Sequence, residues 1–367
     1  MEKNKKYRKL LLAGGLLVII LLFLILAGSY GDNRVKKRKI GFVLSGEATE
    51  QGWNGMHYQG MKIASDEAGT DLLVADNVPE FSGQCETAVR DLAAAGCEMI
   101  ILSSYGYSEE IYHVSDEYPE VAFYVNSSEY HTENMTSYFV RMYQARYLSG
   151  ILAGRMTKTN RIGYVAAMSN NEVNRGISAF TLGVKHANPE AEVVVTFTGT
   201  WDNELLEKTA AKKLIAMENV DLLTFHQNQP YVAEVAEEAG IYSIGYHESD
   251  QQFSDNYLTT VKCDWSLVYR ELLHVFMKGK ANSEENYWIG METGAVNLAE
   301  LSSAVPKTVR DEIEVAAKEI LNGKEIFSGI IYDTTGKLQC GKDEQISDER
   351  LLEQFDWLVE GVRIYEE

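Results

Sequence analysis

Short β-branched runs alternate with helical patterns twice along this chain, and that alternation demands an α/β fold with parallel sheets. The first set has strands at Ile40–Ser45, Leu72–Asp76, Met99–Ser103 and Val121–Val125, with helices near 53–68, 84–95 and 108–117 between them. In the helix near 84–95, Cys85, Ala88, Val89 and Leu92 form one apolar stripe, and Gly96 stops it. The second set has strands at Ile162–Ala166, Val193–Phe197, Leu222–Phe225 and Tyr242–Gly245, with helices near 172–187, 204–217 and 230–239. A chain of 367 residues that is 45% hydrophobic, with only 5 prolines, exceeds one compact core, so two similar lobes facing across a cleft are expected. The tail after about residue 287, with Trp288, a helix near 306–322 and the apolar Ile326–Tyr332, reads as structure added to the second half.

The first residues differ in kind. Lys3, Lys5, Lys6, Arg8 and Lys9 precede an uncharged apolar stretch of 18 residues, Leu10–Ala27. As a helix it measures roughly 27 Å, enough to cross most of a bilayer core and longer than a usual signal-peptide apolar region. The expectation is a basic cytoplasmic tail (1–9), a single-pass transmembrane signal anchor in the cell membrane (10–28) and a basic linker (29–38), with the large domain extracytoplasmic. A cleaved signal peptide stays open, because Ala27-Gly-Ser29 offers small residues to a peptidase. No cysteine follows the apolar run, so lipid attachment there is excluded.

Charge narrows the partners. Without residues 1–37 the chain holds 26 basic against 52 acidic side chains, a net charge of −26. Such a surface repels phosphate backbones, so no nucleic acid is expected as a partner. Cys85, Cys97, Cys263 and Cys340 show neither a CxxC pair nor metal-ligand spacing; Cys85 and Cys97 bracket a helix and can approach each other, with buried free thiols as the other state. His247-Glu248 hints at a zinc deaminase, but the Pro-Cys-x-x-Cys half is missing. There is no glycine-rich phosphate loop, nucleophile elbow or HExxH. Neither a cofactor, a metal nor catalysis is expected.

Ligands of open α/β sheets collect beyond the carboxyl ends of the strands. The loops there carry aromatics and neutral amides: Trp53, Asn54, Tyr105, Tyr107, Asn170, Asn171, Asn174, Trp201, His226, Gln227, Asn228 and Gln229. Aromatic faces stack on flat heterocycles, while Asn, Gln and His offer donors and acceptors to a base edge. Trp53 fits two roles, a stacking platform at a strand end or the first apolar residue of an amphipathic helix that includes His57, Gly60, Met61 and Ala64. Asn170 or Asn171 also suits the cap of a helix starting at Glu172. Asn126-Ser-Ser and Asn134-Met-Thr match the glycosylation pattern by chance.

Several blocks follow one another in a specific order: Gly52-Trp-Asn-x-x-His-x-x-Gly60, Asn77-Val-Pro-Glu80, Ser103-Ser-Tyr-Gly-Tyr107, Tyr143-Gln-Ala-Arg-Tyr-Leu-Ser-Gly150, Arg161-Ile-Gly-Tyr-Val-Ala166, the run Glu172–Gly183, Thr200-Trp201 and Ala236–Tyr242. Over residues 38–335 they resemble the basic membrane protein family, substrate-binding components of ABC importers that include purine nucleoside receptors. More narrowly they resemble the branch that binds free purine bases such as adenine. The resemblance implies the periplasmic-binding-protein type 1 fold: two Rossmann-like lobes joined by three hinge crossings, near 157–160, 246–257 and 279–286. Lobe 1 would then comprise 39–158 and 247–280, and lobe 2 would comprise 159–246 and 281–367.

By the same resemblance Trp53 and Tyr105 flank a purine ring, with Asn54 and Ser104 beside them and Gln144 at the family's acid-or-amide position. Asn174, Trp201, Asp202, His226 and Gln227 close over the ligand from the second lobe, and His247 and Asp250 lie in the hinge loop. Nucleoside-binding members carry an Asp three residues before the stacking aromatic, where this chain has Glu50, which turns the expectation toward a free base with the nucleoside second. The expected partners are a purine base or nucleoside and the permease and ATPase subunits of an ABC importer. A membrane-anchored ligand sensor with the same fold and no transport role is the alternative.

Overall fold

The computed structural model describes residues 37–50, 52–128, 130–247, 253–280 and 286–365. The first half runs β1 (Lys39–Val43), α1 (Trp53–Ala68), β2 (Asp71–Ala75), α2 (Gln84–Ala94), β3 (Met99–Leu102), α3 (Tyr107–Ser115), β4 (Ala122–Asn126) and β5 (Met135–Val140). The second runs α4 (Met142–Met156), β6 (Arg161–Ala166), α5 (Asn171–Ala187), β7 (Glu192–Phe197), α6 (Glu204–Glu218), β8 (Leu222–His226), α7 (Tyr231–Ala239), β9 (Tyr242–Tyr246) and β10 (Tyr257–Cys263). It continues through α8 (Trp265–Met277), β11 (Asn286–Ile289), β12 (Val296–Leu298), α9 (Lys307–Leu321), β13 (Ile331–Tyr332), β14 (Leu338–Cys340), α10 (Asp348–Glu353) and β15 (Val362–Ile364).

Two sheets result. The first has the order β11-β5-β4-β3-β1-β2 and is parallel throughout. The second has the order β12-β10-β9-β8-β6-β7-β15, with β12 alone antiparallel. Strands β3, β4 and β5 are buried at every residue, because helices cover both faces of a parallel sheet. In each sheet the strand order reverses beside the first strand of the set, at β1 and at β6, so a crevice opens beyond the carboxyl ends of β1 and β3 and of β6 and β8. The α/β periplasmic-binding-protein-like architecture is therefore present, with both lobes inside one compact unit, Lys39–Glu367.

The chain passes between the sheets three times, but not where the sequence placed the crossings. It leaves the first sheet at Arg141, between β5 and α4; it returns at Asp264, between β10 and α8; and it leaves again over 290–295, between β11 and β12. The expected lobe boundaries are corrected accordingly. Helix α4 was assigned to lobe 1, yet it is buried at 13 of 15 residues and lies along α5 of lobe 2. Gly150 and Gly183 let those two backbones touch: a Cβ on Gly150 would stand 2.0 Å from the Phe180 carbonyl oxygen. Strand β10 completes the second sheet beside β9, and β11 extends the first beside β5. Apolar periodicity reports that a segment is buried and leaves open which sheet buries it.

The crossings are tied together. Arg141 N–H donates to the Ile289 carbonyl and Asp264 N–H to the Ala295 carbonyl, both at 2.7 Å. One apolar cluster continues through this spine from Ile40 and Phe42 to Val193 and Phe225, and a second lies under α2 and α3 on the far face of the first sheet. All four cysteines are free and buried. No described helix is long and apolar enough to cross a membrane, and the expected anchor over 10–28 lies outside the described residues.

Candidate functional site

Lobe 1 builds its wall from three strand ends. Beyond β1 the loop reaches Gly52, whose φ of +93° suits a residue without a side chain, and α1 starts at Trp53. The indole Nε1–H of Trp53 donates to the Ser103 carbonyl at 3.0 Å, just past β3. Its ring centre lies 4.1 Å from that of His57, 5.4 Å from Trp265 and 4.9 Å from His247. Trp53 packs into the core and, at 9% exposure, also lines a cavity between the lobes. Ser104 and Tyr105, after β3, line the same cavity. Glu80 joins them from the loop after β2; its Oε1 accepts from Ser104 Oγ at 2.7 Å and Gly106 N–H at 2.6 Å. Burial raises the Glu80 carboxyl, with these hydrogen bonds opposing and the Glu172 charge adding. Asn126, the last residue of β4, is 1% exposed, and its Nδ2 has no hydrogen-bond partner among the described residues.

Lobe 2 supplies Glu172, Trp201, His226, Gln227, Asn228, Tyr246 and His247. Burial lowers the His226 imidazole to about 4, opposed by Glu172 and assisted by the Arg146 charge, so the ring is neutral near pH 7. Glu172 Oε1 stands 3.6 Å from His226 Nε2, which favours the proton there and leaves Nδ1 as an acceptor. His247 is likewise lowered well below its ordinary value by burial. Gln227 donates from Nε2 to Thr198 Oγ1 at 2.8 Å, and its Oε1 is buried without a partner. The Nδ1 atoms of His226 and His247 and the Tyr246 hydroxyl share that condition among the described residues. Behind this wall the fully buried Arg146 donates to the Phe225 carbonyl at 2.8 Å and sits 4.1 Å from the Tyr246 ring centre.

The lobes meet at the mouth of the cavity. A Cβ on Gly52 would lie 2.0 Å from the Asn228 carbonyl oxygen of the opposite lobe. The cavity leaves about 30 Å³ for solvent, space for about two waters. A heterocycle enters only when the lobes part or the aromatic side chains retract.

Seven of the twelve residues expected from sequence line this cavity: Trp53, Ser104, Tyr105, Trp201, His226, Gln227 and His247. Four do not. Asn54 donates to Glu50 Oε1 at 2.6 Å and accepts from Ser45 Oγ at 3.2 Å, which fastens the loop to α1. Gln144 Oε1 accepts from Met291 N–H at 2.8 Å and braces the hinge. Asn174 accepts from Ser169 Oγ at 3.1 Å and donates to the Phe355 carbonyl at 3.3 Å, holding the C-terminal segment. Asp202 is exposed next to Trp201, off the cavity wall. The twelfth, Asp250, lies outside the described residues.

Sequence reasoning missed Glu80 and Asn126 as wall residues, and it placed the loop 167–174 on the cleft without singling out Glu172. Asn126 had a usable signal, since it ends a strand at the same level as the other loops. Glu172 was masked by its role at the helix start, where Asn170 does cap α5 by accepting from Val173 N–H at 2.9 Å. Among the described residues no His, Cys, Asp and Glu group is arranged to hold a metal ion.

The model of the PnrA-like ABC transporter substrate-binding proteins, named Bmp, matches residues 37–333. The chain belongs to this family. A purine-binding protein of Brucella abortus is 30% identical to it, over 89% of this chain and 93% of that protein. A Haloferax volcanii protein named as an ABC transporter glucose-binding protein is 31% identical, over 88% and 79%. A solved solute-binding protein of an ABC transporter system from Aeropyrum pernix superposes with a TM-score of 0.68 at 17% identity, covering 88% of this chain and 100% of that one, and shows the shared fold. The cavity described above lies between the two lobes of this family member. The walls described above are those lobes' facing surfaces.

Proposed function

We propose that this PnrA-like protein is the extracytoplasmic, membrane-anchored binding component of an ABC importer, taking a free purine base, with a nucleoside second, by aromatic stacking and lobe closure. The observation that carries the reading is the convergence of aromatic side chains from both lobes, Trp53 and Tyr105 with Trp201 and Tyr246, in one cavity lining beside buried polar atoms that have no partner among the described residues. Stacking is worth about 1 to 3 kcal/mol per base, and neutral amide and imidazole atoms suit a base edge. The purine-binding relative from Brucella abortus supports the same ligand class. The captured base passes unchanged to a permease and its ATPase. The anchor rests on the apolar run from Leu10 to Ala27, and exclusive recovery of the full-length chain in the membrane fraction is its test.

A sugar is the second reading, favoured by the name of the Haloferax relative. Titration of the full chain with adenine, hypoxanthine, guanosine, inosine and glucose, followed by heat and by tryptophan fluorescence, separates the two. Saturable binding of a purine with quenching is expected. Binding of glucose alone, or of none, overturns the purine reading.

A further inference from the structure

The cavity receives one carboxylate from each lobe, Glu80 from the loop after β2 and Glu172 from the first turn of α5. The hydrogen bonds from Ser104 and Gly106 to Glu80 both fall on Oε1, so Oε2 takes part in neither. Gln227 Oε1 and the His226 Nδ1 lone pair add two acceptors without partners. Against these stands Asn126 Nδ2 as a donor, while the Tyr246 hydroxyl serves either way. Among the described residues no cationic side chain lines this cavity; Arg146 and Arg175 border a smaller void behind it, which Glu172, His226 and Tyr246 also touch. The lining therefore holds two carboxylates with no cation among its described residues to offset them.

Closing such a wall on a ligand has a chemical condition. Buried acceptors are satisfied only by N–H or O–H groups, and a ligand oxygen pressed against a carboxylate in a dry cavity is repelled. We propose that Glu80 and Glu172 are specificity-determining residues that read N–H donors on the ligand from opposite sides, so the site selects amino-substituted heteroaromatic bases over oxo-substituted ones of the same shape. This rests on the purine reading above and adds the substituent pattern that the two lobes require before they close. Neutral His226 reinforces it, because Glu172 orients the ring so that Nδ1 accepts.

The test compares the isosteric pair adenine and hypoxanthine, together with 2,6-diaminopurine, by calorimetry on the full chain and on E80Q and E172Q. A hydrogen bond to a charged group implies about a ten- to hundredfold preference for the amino base. A glutamine turns part of the acceptor surface into a donor, so each variant is expected to shrink the adenine-to-hypoxanthine ratio by admitting the oxo base. The ratio is insensitive to a general loss of stability, which lowers both affinities together. A wild-type ratio near one overturns the proposal while leaving purine binding intact. A high ratio that neither variant changes overturns the assignment to these two residues. Failure of every purine to bind overturns the underlying reading instead.

Discussion

The two walls of the cavity are finished to different degrees. On lobe 1, Trp53 spends its indole N–H on the Ser103 carbonyl, and Ser104 and Gly106 spend theirs on Glu80; among the polar atoms described there, Asn126 Nδ2 is left over. On lobe 2, His226, Gln227, Tyr246 and His247 all keep a buried polar atom without a partner. A buried polar group without a partner costs about 1 to 3 kcal/mol, so native proteins keep few of them away from function. Lobe 1 offers a prepared surface to lie on, and lobe 2 holds groups that a ligand completes. Most of the groups left for a ligand to complete thus lie on lobe 2, with Glu80 and Asn126 as the share of lobe 1.

The division can be broken most forcefully where the walls meet. Gly52→Val puts a branched side chain at φ +93° and within 2.0 Å of the Asn228 carbonyl oxygen at its first carbon, so the lobes are held apart. Ligand-induced compaction in small-angle scattering should vanish and affinity fall at least a hundredfold; normal compaction would show that the mouth closes elsewhere.

Acidification tests the lobe 2 side. His226 is held at about 4 in the fold, against about 6.5 in an unfolded chain. Between those values the unfolded chain binds a proton that the folded one refuses, so the contribution of His226 to stability falls as the pH drops from about 6.5 toward 4, by about 3 kcal/mol, against that of Glu207, whose carboxyl is raised to about 8 by burial and which stabilises over the same drop. His57 and His247 act in the same sense as His226, while the raised Glu80 carboxyl, whose contribution is lost as pH rises, opposes them. Thermal melts across this range should be flatter for His226→Gln than for the parent chain.

On lobe 1, Trp53→Ala should cost about 1 to 3 kcal/mol in binding, equally for every base, because stacking does not read substituents. It also lowers the melting temperature, since the ring is part of the core. A change in the ranking of bases would erase the proposed distinction between the walls. Gln227→Leu makes the smallest change, about 1 kcal/mol in affinity, and it should reorder the bases with little effect on stability. Competition titrations against a fluorescent ligand measure both.

Much of this was legible beforehand for physical reasons. Strand ends and glycine stops are local, so the βαβ elements and the wall residues Trp53, Tyr105, Trp201 and His226 could be read directly. Which sheet receives α4, β10 or β11 depends on contacts between distant segments, which periodicity does not carry. Asn54 and Asn174 misled because an amide at a strand end serves equally well as a ligand contact or as a fastener. Glu80 and Glu172 stayed hidden because acids in loops and first helical turns normally face water or a helix dipole.

The two 2.7 Å backbone bonds across the crossings, Arg141 to Ile289 and Asp264 to Ala295, pin adjacent strands of the spine to each other. Pinned strands cannot slide, so shear between the lobes is removed and a single swing about the spine remains. On the importer reading proposed above, that single angle is what a permease would meet.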